Sequence, residues 1–568
     1  MRTPRPQSVP VFASVTRVVA NLIRGLSFPG VVFAGLFFAM SLTPSLVPRE
    51  TLPQGVLSGL CAFLGYALGV LLDWIVTYLQ LPSLQRLPRW VRVSGCSGSG
   101  AIGLACLYHS EDWQNAVRSV MNMAPVDGGH PLKIFGVAVV VCAILLAIGR
   151  SALWLARRID RQIVRFVPRR LAMLSSYLLT GIVLWSLAND LLVRNVFRLL
   201  DSSYRQLDAR FEPERPQPLA SGKTGSAASL IEWQKLGRAG REFVASEAMP
   251  DDIARLAGTP AREPIRVYVG LPSGETVEDR ARLALEELKR QGGFERTYLV
   301  IVTPTGTGWI DPASMDALEY LTGGDVASVA VQYSYLSSPL SLLAQQEYGS
   351  ETAKALFSTI YGYWTGLPKD KRPKLYLHGL SLGAMNSQIS AELFEMLGDP
   401  VQGALWSGPP FVSGTWAWLT RQRATGTPER LPEFRDGRLV RFMNQQGFSV
   451  PDERPWGSTR VVYLQYASDP IVFFDYRSFF RRPDWMREPR GPDVSPAMRW
   501  YPIVTGFQLT LDMLVAAATP AGYGHVYAVS HYVDAWHATL GLDDWSPQRR
   551  AALKAHLSSL QPRPNGGG

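Results

Sequence analysis

The sequence predicts an α/β protein in two parts. Residues 1–200 read as a bundle of about five membrane-spanning helices and residues 263–568 as a mostly parallel sheet covered by helices, joined by a linker and an amphipathic helix in 201–262. Two observations predict this. Apolar runs at 28–47, 54–79, 91–108, 132–156 and 171–193 each approach the roughly 20 residues that a helix needs to cross a bilayer. Beyond residue 263, short β-rich runs alternate with helical patterns, as in a parallel sheet with both faces buried.

The helical part comes first. The formal charge of +10 is unevenly placed: residues 1–200 hold 19 Lys/Arg against 7 Asp/Glu, and the rest of the chain holds 38 against 40. The basic excess therefore belongs to the membrane half, and nucleic acid is excluded as a partner. Its arginines alternate between loops. The N-terminus has Arg2, Arg5, Arg17 and Arg24, the second loop Arg86, Arg89 and Arg92, and the fourth Arg157, Arg158, Arg161, Arg165, Arg169 and Arg170. Cytoplasmic loops retain Lys and Arg, so five spans would put the N-terminus inside and the C-terminal part outside. Pro44 and Pro48 stand where a signal-peptide cleavage site would be, which favours an uncleaved first span.

Gly55, Gly59, Gly65 and Gly69, with SGCSGSG at 94–100, place small residues at helical spacing, which predicts close helix packing. Asn189 and Asp190 fall near the end of the fifth run, where an acid is as easily hydrated as functional. All four cysteines lie in the apolar runs, so no disulfide framework exists beyond residue 200. The proline- and serine-rich stretch 205–228 reads as a linker; its GKT lacks the preceding strand and glycine of a phosphate loop. Residues 229–247 can form the amphipathic helix.

In the second part, strands are predicted at 265–270, 297–304, 326–336, 374–379, 401–408 and 459–467, and helices at 277–291 and 341–364. The strand KLYLHG runs into Gly379-Leu380-Ser381-Leu382-Gly383, and AMNSQISAELFEML continues as a helix. A serine at such a strand-to-helix elbow projects from the carboxyl edge of the sheet at a helix N-terminus. A hydroxyl needs a base to become a nucleophile, and the base needs an acid to orient it. His525, in the turn-like AGYGHVY with Gly522 and Gly524 giving the ring space, is the preferred base. His531 is the next choice, and His537 and His556 sit in helical sequence. Asp469 follows a strand in VVYLQYASDPIV and is the preferred acid over Asp475 and Asp512. The backbone N–H of Leu382 supplies one oxyanion donor, and Thr305 or Gly306 in TPTGTGWIDP the other. His378 reads as a packing residue, and no cluster has metal-ligand spacing, so no metal or cofactor is inferred. The insertion from about 476 to 520 holds Tyr476, Phe479, Phe480, Trp485, Trp500, Tyr501 and Phe507, either as an acyl-binding wall or as ordinary core.

The multi-pass N-terminal region together with TGTGWIDP, VQYSYLSSP, HGLSLG, YASDPIVF, RPDWM and GYGHVY resembles the bacterial family of membrane-anchored α/β-hydrolases. The resemblance covers nearly the whole chain and implies an α/β-hydrolase-fold domain with Ser381, Asp469 and His525 as triad. The expectation is a serine hydrolase acting on an acyl ester, lipid or envelope component, at the outer face of a bacterial inner membrane, with the bilayer as its partner. An acyltransferase using the same triad, or a lipid-binding or transport scaffold without turnover, are the alternatives. A pore is disfavoured because the apolar runs lack paired charges.

Overall fold

A computed structural model describes residues 25–128, 130–186, 208, 215–246, 248–336, 341, 346–391, 398–451, 453–487 and 489–560. The N-terminal arginines up to Arg24, the end of the fifth apolar run with Asn189 and Asp190, and most of 205–214 lie outside these residues. The chain divides into two compact units. The first comprises 1–195 with 476–482 and 495–512, and the second the remainder.

The first unit contains α1 (Phe28–Ser41), α2 (Thr51–Tyr78), α3 (Arg89–Tyr108), α4 (Ser110–Val120), α5 (Pro131–Ile163) and α6 (Arg169–Ser186). Only α2, with 28 residues, and α5, with 33, are long and apolar enough to cross a membrane among the described residues. This corrects the expectation of five spans. The first apolar run yields a helix of only 14 residues, roughly 21 Å long, because the chain breaks at Leu42 ahead of Pro44. The third is diluted by the small polar residues of SGCSGSG, and α6 is described only to Ser186. The glycine spacing does set close approaches: side chains at Gly55 and Gly59 would collide with Val137 and Val141 of α5, and at Gly65 and Gly69 with the Phe33 and Pro29 carbonyls of α1. Gly98 and Gly100 face open space.

Of the insertion residues in this unit, Tyr476 and Phe480 are exposed, and others pack as core. Val504, Tyr501, Phe507 and Leu511 lie against Leu57 and Cys61, and Phe479 meets Phe507 edge-on. Asp512 is fully buried here, accepting from Ser45 Oγ at 2.8 Å and Leu46 N–H at 3.0 Å, 3.5 Å from Arg49 Nε. That ion pair joins a loop to the insertion.

The second unit is built on eight strands: β1 (Ile265–Val269), β2 (Tyr298–Thr303), β3 (Val326–Val331), β4 (Lys374–Leu380), β5 (Gly403–Ser407), β6 (Val440–Asn444), β7 (Gly447–Phe448) and β8 (Arg460–Leu464). Their order is β1-β3-β2-β4-β5-β8-β6-β7, parallel except for β7. All six expected strands are present, and β6 and β7 were not foreseen. β1, β3, β5 and β6 are buried at every residue, as covering on both faces requires. The covering helices include α7 (Val277–Arg290), α8 (Pro312–Leu321), α9 (Gln346–Thr365), α10 (Leu382–Ser390), α11 (Val529–Leu540) and α12 (Pro547–Leu560). α7 starts at a capping box, Thr276 with Asp279. The amphipathic helix expected at 229–247 is only Gly237–Ala245, preceded by a tight turn of helix at Trp233–Lys235. Gly237 at φ +70° separates the two.

Candidate active site

Strand register brings the predicted chemistry to one edge. Thr303 at the end of β2 pairs with Gly379 of β4, Leu380 pairs with Ser407 of β5, and Ser407 with Leu464 of β8. The loops leaving β2, β4, β5 and β8 therefore emerge side by side.

Ser381 stands between β4 and α10 with φ 56° and ψ −124°, a region costing a non-glycine residue roughly 1–3 kcal/mol. Ser381 N–H donates to Ser407 O at 2.9 Å, which fixes the turn to the next strand. The flanking glycines are there for space. A Cβ at Gly379 would collide with the Gly383 backbone, and one at Gly383 with the carbonyl of Thr303. Leu382 opens α10, so its N–H has no intrahelical acceptor and points from the positive end of the helix.

Asp469 is fully buried at the start of the short helix Pro470–Phe473. Its Oδ1 accepts from Ile471 N–H at 2.9 Å, while Oδ2 accepts from His525 Nδ1 and from the Tyr527 hydroxyl, each at 2.7 Å. A carboxylate only accepts, so His525 carries a proton on Nδ1, and in the neutral ring Nε2 is then the acceptor, directed away from Asp469. Nε2 is buried and has no hydrogen-bond partner among the described residues, Ser381 Oγ included. Such contacts commonly tighten only once substrate is bound. The imidazole reaches the serine's strand edge: a Cβ on Gly408, the residue after Ser407, would lie 2.8 Å from His525 Cε1. Gly522 and Gly524, at φ +95° and +54°, build the turn that presents His525 rather than clearing room for its ring. A side chain at Gly524 would crowd Thr519 Oγ1 and, at 2.9 Å, the Ala516 carbonyl.

The other candidates lie elsewhere. His531 Nδ1 is 2.6 Å from the Tyr466 hydroxyl, and the ring of His556 lies against Tyr320. His378 is a packing residue, as expected: Nδ1 donates to Leu405 O at 2.8 Å, and Nε2 accepts from Ser314 Oγ at 2.9 Å. Burial pushes it down to about 4. Asp512 belongs to the first unit. Thr305 departs from its expected role. Its N–H donates to Trp309 O at 2.9 Å and its hydroxyl to the same oxygen at 3.2 Å, so both donors face into the loop. Gly306 is buried in the same turn.

Sequence reasoning missed Tyr527, two residues beyond His525 in GYGHVY, and Asp311 within TGTGWIDP. Asp311 caps α8, accepting from Ala313 N–H at 3.0 Å. Burial pushes it up to about 6, against the opposing pull of Tyr532, the Ala313 N–H and His525. Among the described residues no three His, Cys, Asp or Glu side chains gather as a metal site.

The alpha/beta-hydrolase family matches residues 265–553, and the N-terminal region of that family matches residues 42–247. No curated protein and no solved structure matches the chain.

Proposed function

Because the chain belongs to the α/β-hydrolase family, we propose that it is a serine hydrolase cleaving an acyl ester, with Ser381 as nucleophile, His525 as base and Asp469 as the acid that orients it. The observation that carries this is the 2.7 Å bond between His525 Nδ1 and Asp469 Oδ2, on a histidine whose other nitrogen is bare. Ser381 Oγ attacks the ester carbonyl as Nε2 takes its proton, and the Asp469 carboxylate stabilises the resulting imidazolium. The tetrahedral oxyanion is held by the Leu382 N–H. Collapse expels the alcohol, which takes the proton from Nε2. Water then attacks the acyl-enzyme with His525 again as base, releasing the acid and restoring Ser381.

We propose further that the protein sits in a membrane. α2 and α5 are 28 and 33 residues long, roughly 42 and 50 Å, against a hydrocarbon core of about 30 Å. Leu71, Trp74 and Ile75 on α2, and Val139, Val140, Ile144 and Ile148 on α5, are exposed. Lipid is the covering that makes such rows stable.

The test is labelling of the detergent-solubilised full chain with a fluorophosphonate, which phosphonylates an activated serine. Wild type is expected to take the label and folded Ser381→Ala and His525→Ala to lose it. A folded wild type that stays unlabelled would sink the proposal.

A further inference from the structure

The acid and the histidine sit on loops far apart in the chain, one after β8 and one before α11, and their single direct bond spans 56 residues. A second connection runs beside it. Asp493, 2% exposed, accepts three hydrogen bonds on one oxygen: from Ser468 N–H at 2.8 Å, Ser468 Oγ at 2.6 Å and Gln445 Nε2 at 3.0 Å. Ser468 immediately precedes Asp469. A carboxylate offers only lone pairs, so the Ser468 hydroxyl must turn its proton to Asp493 and its own lone pairs outward. One of them receives the Gly524 N–H at 2.9 Å, and Gly524 immediately precedes His525. The Gln445 amide that donates to Asp493 also donates to Gly522 O at 3.0 Å.

One buried carboxylate thus holds the residue before the acid and, through Ser468 and Gln445, both ends of the glycine turn that aims the histidine. Arg430 faces it with a compensating charge. We propose that Asp493 is a positioning residue, a latch that sets the distance between the Asp469 and His525 loops; this rests on their assignment to the catalytic apparatus. Hydrogen bonds to a buried carboxylate are strong and directional, and small misplacements of a reacting group cost large factors in rate. The latch acts on the geometry of the base and leaves ligand affinity alone.

The experiment follows fluorophosphonate labelling of the full chain in detergent over a range of probe concentrations, which separates probe affinity from the rate of Ser381 phosphonylation. Asp493→Ala and Ser468→Ala are expected to slow phosphonylation tenfold or more, on the order of one lost charge-assisted hydrogen bond, with affinity unchanged. Asp493→Asn, whose amide oxygen can still accept from Ser468, should restore most of the rate. The double variant Asp493→Ala/Ser468→Ala should be about as slow as Asp493→Ala alone, because both remove one unit. A folded Ser468→Ala labelled at the wild-type rate would overturn the latch alone. So would an Asp493→Asn as slow and as destabilised as Asp493→Ala, since general support of the fold would then explain both. A wild type that takes no label would overturn the latch together with the assignment beneath it.

Discussion

His378 lies on β4, three residues before Ser381, and its chemistry gives a stability prediction with a definite sign. The ring is fully buried. Leu405 O can only accept, so Nδ1 bears the proton and Nε2 accepts from Ser314 Oγ, which in turn accepts from Trp536 Nε1 at 2.9 Å. Burial pushes His378 from 6.5 down to about 4. Below pH 6.5 the unfolded chain binds a proton that the folded chain refuses, so stability is complete at neutral pH and falls as acid is added. The loss ends near pH 4, where the folded state takes the proton too. At about 1.36 kcal/mol per pH unit, the interval is worth roughly 3 kcal/mol.

Wild-type stability alone would not isolate this, because Asp311 titrates in the same window with the opposite sign. Pushed up to about 6, it keeps its proton in the fold where the unfolded chain has lost it, so it adds stability as pH falls. The comparison that cancels Asp311 is wild type against His378→Phe. The variant strands the Leu405 carbonyl and Ser314 hydroxyl at a cost of about 1–3 kcal/mol each, but that cost does not depend on pH. Unfolding of the detergent-solubilised chain should show wild type more stable by a constant margin above pH 7, with the margin shrinking by roughly 3 kcal/mol between pH 6.5 and 4. In Tm this is a few degrees. His378→Gln, which keeps a donor for Leu405 O, should show the same convergence. Curves that stay parallel from pH 8 to 4 would refute the reasoning, since His378 would then protonate inside the fold without penalty.

Two further outcomes are expected. Gly383→Ala presses a methyl group into the carbonyls of Thr303 and Pro304, backbone atoms that cannot swing aside. It should destabilise by about 1–3 kcal/mol and slow fluorophosphonate labelling at least tenfold, whereas Gly362→Ala, in open space on α9, should be neutral or stabilising by up to about 1 kcal/mol. The full chain should stay in the membrane pellet through a carbonate wash, and a phosphatase reporter joined at the C-terminus, active only outside the cytoplasm, reads the side on which the C-terminal half lies. Release by the wash would sink membrane insertion, and an inactive reporter would place the catalytic half inside.

What the sequence could reveal depended on whether the deciding contact was local. β1, β3 and β5 are readable because a strand buried on both faces is mostly apolar, with one polar residue each in Arg266, Ser328 and Ser407, and each is bounded by a turn. β6 escaped because only three of its five residues, VRFMN, are apolar, and they are interrupted by Arg441. That guanidinium is buried by stacking 4.0 Å from the Trp456 ring and donating to the Gly437 carbonyl at 2.9 Å, partners that no pattern within VRFMN announces. The apolar runs of the first unit reported composition correctly but not where a helix ends. At Leu42–Pro48 the chain turns to engage Gln508 and Asp512 of the insertion, so a 20-residue run becomes a 14-residue helix.

The site divides the same way. The placement of Ser381 at the strand-to-helix turn and of Asp469 and His525 within bonding distance was legible because a strand end or a glycine turn marks each of them within its own few residues; their catalytic roles are the proposal. The inward turn of Thr305 depends on Trp309, four residues on, and could be weighed only once the loop's path was known. Asp493 lies on an arginine- and proline-rich stretch, REPRGPDVSP, that carries no regular pattern. It matters because folding carries it to Ser468, 25 residues back in the chain. A residue whose work is to hold two other loops in register has its meaning in tertiary contact. The polar groups to look for in such a chain are therefore those whose buried atoms touch a neighbour of the reacting pair.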